Sequence, residues 1–141
     1  MRYEIPIQII ELEPENYHPL IECRFDHENS GYWVIDTGAS RSVFDSGLEQ
    51  WYSLNEDSSN MLQSAGINGD PFNSHVAVLK SLSFGDFDLS GESIALISLE
   101  QINELYSRFT DVKIAGLVGS DWLCRFNAII DFERKVLVLN R

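Results

Sequence analysis

The chain is poor in the residue types that hold metals, nucleic acids or a disulfide framework. It has only two cysteines, Cys23 and Cys124, too few for a pairing to be deduced from sequence. Cys23 follows Leu20-Ile21-Glu22 and Cys124 follows Trp122-Leu123, and these apolar surroundings predict buried free thiols. Neither cysteine has a histidine at a spacing that suggests a nucleophile. The three histidines, His18, His27 and His75, are scattered without nearby ligand partners, so no metal and no cofactor is expected. Basic residues are scarce: 10 Lys and Arg stand against 22 Asp and Glu, a net charge of −12. A phosphate backbone would be repelled, which argues against nucleic acid as a partner. No glycine-rich loop of the P-loop or dinucleotide type is present. No apolar run is long enough to cross a bilayer, so no membrane partner is expected. Met1-Arg2-Tyr3-Glu4-Ile5-Pro6 lacks the apolar stretch of a secretory signal, which leaves the cytoplasm as the default location. There is no internal repeat, low-complexity tract or linker.

What is present is enough for one core. The 141 residues are 44% hydrophobic, and a single domain over 1–141 is expected. Alternation predicts strands at about 3–13, 17–26 and 31–36, with a short helical piece near 45–52. Asn55-Glu56-Asp57-Ser58-Ser59-Asn60 is polar and reads as a surface loop. Further strands are expected at about 61–67, 72–85, 87–90 and 92–98. Ser98 to Phe109 is the one clear amphipathic helix, with Leu99, Ile102, Leu105, Tyr106 and Phe109 at three- and four-residue spacing. Ser98 and Gln101 stand as a capping box would place them.

The chemistry is concentrated in Trp33-Val34-Ile35-Asp36-Thr37-Gly38-Ala39-Ser40. A short apolar strand delivers one carboxylate into a tight turn of small and hydroxylated residues. Backbone N–H groups and the Thr37 and Ser40 hydroxyls are then available to hydrogen-bond it. The bland reading is a strand ending in an Asx turn, with Asp36 capping backbone and nothing more. Far downstream, Ile114-Ala115-Gly116-Leu117-Val118-Gly119-Ser120-Asp121-Trp122-Leu123 reads as an apolar strand that stops at Gly119 and turns into a short helix. Phe126 to Leu139 reads as two strands joined at Glu133-Arg134-Lys135. Ser81 to Leu89 alternates around Gly85-Asp86, and Asn68-Gly69 is a strong two-residue hairpin signal.

These pieces, in this order, resemble the aspartic peptidases, whose signature is D-[ST]-G-[AS] after an apolar strand. The form Asp-Thr-Gly-Ala-Ser is most similar to the retropepsin-like branch, in which each chain is half an enzyme. The resemblance implies a mainly β fold, a closed or partly closed β-barrel of the acid-protease type with one or two helices. It implies that Asp36 is catalytic and that Thr37, Gly38, Ala39 and Ser40 support the active-site loop. It implies that Leu117, Val118 and Gly119 cross this loop as a ψ-shaped strand, and that Asp131 is structural. A flap is implied within 64–76, around Gly66, Ile67, Asn68 and Gly69, with Ile67, Phe72 and Val118 as candidates to line substrate pockets.

The chain has one Asp-Thr-Gly and no second Asp-Thr-Gly or Asp-Ser-Gly. Asp121 and Asp131 lack the required turn. Two carboxylates held close enough to share a proton would come from two chains, so a homodimer is expected, with a peptide or protein as substrate. The reading is then an aspartic endopeptidase. The alternatives are a catalytically silent dimerisation or peptide-binding module of the same fold, and an unrelated barrel. The last would leave Asp36 exposed and distant from Gly119.

Overall fold

The computed structural model describes residues 1–54 and 75–141. The described chain is mostly strand. β1 (Arg2–Glu13), β2 (Asn16–Arg24) and β3 (Ser30–Ile35) form a meander, followed by β4 (Val43–Asp45), a 3-10 turn at Glu49–Trp51 and β5 (Tyr52–Leu54). Then come β6 (Val76–Leu79), the small hairpin β7 (Ser83–Phe84) and β8 (Phe87–Asp88), and β9 (Ser93–Ile97). Helix α1 (Glu100–Ser107) leads to β10 (Ile114–Val118), helix α2 (Ser120–Arg125) and the closing hairpin β11 (Ile129–Asp131) and β12 (Val136–Asn140).

Strand order is β11-β12-β1-β2-β3-β10-β4-β9-β6-β5, with β7 and β8 attached to β2. Among the described residues the two ends of this path do not pair with each other, so the sheet is not closed, which is compatible with a partly closed barrel. β1 serves two neighbours. Arg2 to Pro6 pairs with β12, and Ile7 to Glu13 pairs with β2. The switch falls at Pro6, which has no N–H to give to a ladder.

The main core is aromatic. Trp33 stacks on Trp122 with ring centroids 5.5 Å apart and meets Phe84 edge-on at 5.3 Å. The wide indole is accommodated because β10 carries Gly116 above it. A Cβ on Gly116 would lie 2.6 Å from the Trp33 ring. Fully burying such a side chain contributes several kcal/mol, on the order of the ~3–5 kcal/mol lost when a core Trp or Phe is cut to Ala.

A second, smaller cluster seats α1. Leu99, Tyr106 and Ile114 pack with Leu12 and Leu20 on the outer face of β1 and β2. Tyr106 Oη lies 3.0 Å from His18 Nδ1. Asn103 ties α1 to β10 in both directions: its Oδ1 accepts the Ile114 N–H at 2.7 Å and its Nδ2 donates to the Ile114 carbonyl at 2.9 Å.

Three expectations are corrected. The Ser98–Gln101 capping box does not form. Leu99 occupies the cap position with no side-chain cap bond, its amide held by Asp45 Oδ1 at 3.2 Å and its side chain buried. The buried stripe of α1 is also narrower than the spacing suggests: Leu105 is exposed, and the helix ends at Ser107, before the exposed Phe109. Cys23 is buried as expected, but Cys124 is exposed, since it lies on the outer side of α2 while Trp122 and Leu123 take the inner one.

Candidate functional site

Trp33 and Ile35 on β3 point into the core, which fixes the register in which the strand delivers the next residue. That residue is Asp36. Its amide donates to the Val118 carbonyl at 2.9 Å, continuing the parallel pairing of Val118 with Ile35. Asp36 and the Leu117-Val118-Gly119 segment are therefore adjacent, contrary to the separation that an unrelated barrel would show.

The turn closes on itself. Asp36 Oδ1 accepts the Gly38 N–H at 3.0 Å, and the Asp36 carbonyl accepts the Ala39 N–H at 3.1 Å. Among the described residues no hydroxyl reaches the Asp36 carboxylate. The Thr37 and Ser40 side chains are exposed instead, because a two-residue Asx turn is satisfied by backbone alone. Asp36 is half-buried.

β10 runs between the two strands that flank the turn. It is parallel to β3 and antiparallel to β4, with Gly116 opposite Phe44 and Leu117 opposite Val43. At its end Gly119 slides beneath residues 39–41. A Cβ there would lie 2.6 Å from the Arg41 carbonyl carbon and 2.8 Å from the Ala39 carbonyl oxygen. The Gly119 backbone, at φ −97° and ψ −178°, would suit any residue, so it is space that demands glycine. The Ser120 N–H then donates to the Ala39 carbonyl at 2.8 Å.

Two residues that sequence reasoning passed over lock this crossing. Ser42, 2% exposed, donates through Oγ to Asp121 Oδ1 at 2.8 Å and accepts the Gly119 N–H at 2.9 Å. Asp121 Oδ1 also accepts the Ser42 N–H and the Trp122 N–H, each at 2.8 Å. One carboxylate oxygen thus joins the end of the Asp36 turn to the start of α2. The sequence signal was a lone serine before the apolar pair Val43-Phe44, matched to an acid in the first turn after Gly119. Asp131 has its own local duty, accepting the Arg134 N–H at 2.9 Å to close the last hairpin.

Val118, named as a pocket residue, packs instead in the main core. The flap candidates Gly66, Ile67, Asn68 and Gly69, and Phe72, lie outside the described residues. Beside the turn, an open groove of about 560 Å³ is lined by Thr37, Ser120, Leu123, Cys124, Asn127, Ala128 and Ile130. Among the described residues no group of three or more His, Cys, Asp or Glu side chains is placed to hold a metal, and no helix is long and apolar enough to cross a membrane.

Comparison with known proteins addresses the whole arrangement. No curated protein matches the chain. Among solved structures, a retropepsin-like aspartic protease from Rickettsia conorii aligns over 99% of this chain and 90% of its own, at 17% identity and a TM-score of 0.45. A family model for aspartyl proteases matches residues 21–122. That match covers well over half of the chain and takes in both the Asp36-Thr37-Gly38 turn and the Gly119 crossing: the chain belongs to the aspartyl protease family.

Proposed function

We propose that this protein is an aspartic endopeptidase of the retropepsin-like kind, active as a homodimer in which each chain supplies Asp36. The observation that carries the reading is the pinned turn. Asp36 is held at the end of a core strand by Val118, yet its carboxyl group is committed to a single amide, that of Gly38. A carboxylate so placed is rigid in position and free to react.

Two Asp36 side chains facing each other across a two-fold axis cannot both ionise cheaply, so one stays protonated. The ionised carboxylate takes a proton from a water molecule, whose oxygen attacks the peptide carbonyl carbon. The protonated partner gives its proton to the carbonyl oxygen. As the resulting diol collapses, one of its hydroxyls returns its proton to the second carboxylate, the C–N bond breaks, and the amine nitrogen takes up the proton held by the first carboxyl group. The products are an acid and an amine, and the pair ends sharing one proton again. Thr37 serves as the residue that meets its counterpart across the axis, and Gly38, Ala39 and Ser40 shape the loop. The substrate is a peptide in extended form, added alongside the sheet edges near the turn.

The test is cleavage of a broad peptide mixture by wild type and Asp36→Asn from acidic to neutral pH. Wild type cuts internal bonds, and the amide variant loses about 10²–10⁴-fold in rate. Equal activity in both removes Asp36 from the mechanism. A dimer that cuts nothing at any pH leaves the silent binding module as the better reading. Mixing the two proteins in equal amounts is a second check. Random pairing puts half of the wild-type chains with a dead partner, so activity per wild-type chain falls to about half.

A further inference from the structure

Six of the chain's seven arginines stand within 3.9 Å of a carboxylate. With 22 acidic side chains against 10 basic ones, such pairing is the ordinary fate of a cation on this surface. Arg41 is the exception. It is exposed, and among the described residues no carboxylate bridges it. It is also the arginine closest in sequence to Asp36, five residues beyond it. Its backbone is fixed: a Cβ on Gly119 would lie 2.6 Å from the Arg41 carbonyl carbon, and the next residue, Ser42, is clasped by Asp121. Arg41 opens onto a small cavity of about 100 Å³, shared with Val76 of β6 and with Ser93, Ile94 and Ala95 of β9. Among the described residues the one carboxylate on the cavity wall is Asp121, whose Oδ1 already accepts the Ser42 hydroxyl and the Ser42 and Trp122 amides.

We infer that Arg41 sets the specificity of the candidate protease by holding an acidic side chain, Glu or Asp, of the peptide substrate. The inference rests on the endopeptidase reading above and names the substrate feature that this site selects. Five residues span at most about 17 Å of extended chain, and the turn bond from Ala39 to Asp36 shortens the path between Asp36 and Arg41. An extended peptide advances about 3.3 Å per residue, so the side chain that meets Arg41 belongs to a residue within about five of the scissile bond. A guanidinium presents a planar fork of donors that matches a carboxylate. Val76, Ile94 and Ala95 give the methylene stem of that side chain an apolar wall. Elsewhere the net charge of −12 disfavours acid in a substrate. The selection is therefore for acid at one place, not for acidic peptides in general. A two-fold enzyme carries two copies of Arg41, so the same preference falls on both sides of the scissile bond.

The experiment starts from a peptide that wild type cuts in the broad mixture and places Glu, Gln or Lys at each of its positions in turn. Cleavage by wild type, Arg41→Gln and Arg41→Glu is followed at about pH 6, where a peptide Glu is ionised. Wild type is expected to favour Glu over the isosteric Gln by about 10-fold in kcat/KM at one position on each side of the bond. At other positions Glu brings no gain. Arg41→Gln removes the difference between Glu and Gln, and Arg41→Glu favours Lys at the same positions. In wild type the preference fades as pH falls below about 4.3, where the peptide carboxyl group protonates, a change that a purely structural Arg41 would not produce. Wild type that cuts with no acid preference at any position overturns the inference and leaves the endopeptidase standing. So does an Arg41→Gln protein that keeps the preference. An Arg41→Gln protein that cuts no peptide also overturns it, since Arg41 then belongs to the scaffold of the site. Wild type that cuts no peptide overturns the inference and the endopeptidase reading together.

Discussion

Ser42 and Asp121 stand 79 residues apart in sequence and share two hydrogen bonds, the Ser42 amide and hydroxyl both donating to one carboxylate oxygen at 2.8 Å. The turn that carries Asp36 is therefore held from behind by a residue of a different element. Ser42→Ala removes one donor to Asp121 and leaves the Gly119 N–H without its acceptor. An unpaired buried donor costs about 1–3 kcal/mol. The expected result is a loss of that size in urea unfolding, together with slower peptide cleavage. Ser42→Thr, which keeps the hydroxyl, is expected to recover most of the hydrogen bonding. A Ser42→Ala protein as stable as wild type removes the clasp from the account.

Gly119 and Gly47 make a matched pair. An added Cβ at Gly119 runs into the backbone of Arg41 at 2.6 Å, and backbone cannot swing aside. At Gly47 the nearest atom is Asp45 Oδ1 at 3.5 Å, ordinary contact. Gly119→Ala is expected to cost about 1–3 kcal/mol or more and to abolish cleavage, because the Asp36 turn must move. Gly47→Ala is expected to stay within about 0.5 kcal/mol of wild type. Thermal melts and cleavage assays on the two variants check this directly.

The two thiols are expected to differ in reactivity. Burial pushes the Cys23 thiol up to about 12, so it stays protonated and shielded at neutral pH. Cys124 is exposed on α2. An alkylating reagent at neutral pH should label one thiol in the native protein and two in denaturant, with peptide mapping placing the native label on Cys124. Native labelling of Cys23 contradicts the core described here.

Acid should weaken one specific bridge. The Arg134 guanidinium hydrogen-bonds Glu4 and holds its carboxyl below the ordinary value of 4.5. A lowered carboxylate value means that the unfolded chain binds the proton more readily. The stabilisation is therefore present above about pH 4.5 and is lost as pH falls through the lower, folded value. The net charge of −12 works the other way, since protonation relieves repulsion, so total stability is a poor readout. The informative quantity is the gap between wild type and Glu4→Gln in urea midpoints across pH. That gap is expected to be open near neutrality and to close below pH 4.5. A gap that does not depend on pH removes the ion pair as its source.

How far the fold could be read from sequence depended on the range of the interaction. Local signals served well. Alternation marked β3 and β9, the Glu133-Arg134-Lys135 turn marked the closing hairpin, and small residues after Ile35 marked the Asp36 turn. The failures arose where a distant element decided. The amide of Leu99 is taken by Asp45, and the Ser98 hydroxyl accepts the Glu100 N–H at 3.3 Å, so Ser98 is not paired reciprocally with Gln101 as a capping box would have it. Asn103 reads as an ordinary polar position on a helix, yet its amide group is spent on both backbone groups of Ile114. Leu105 and Phe109 fit a helical stripe, but both are exposed, and the helix stops at Ser107. Ser42 and Asp121 are common residue types with no local pattern, and only the crossing of β10 brings them together.

That crossing also sets the order in which the protein can be assembled. β10 inserts between β3 and β4, so two strands made early stay apart until residues 114–118 leave the ribosome and fill the gap. The Asp36 turn has neither the Val118 carbonyl nor the Ser42–Asp121 clasp before then. A nascent chain therefore carries the motif without the geometry of the finished turn. A chain that stops between Gly38 and β10 keeps an intact Asp-Thr-Gly but lacks the contacts that pin its turn.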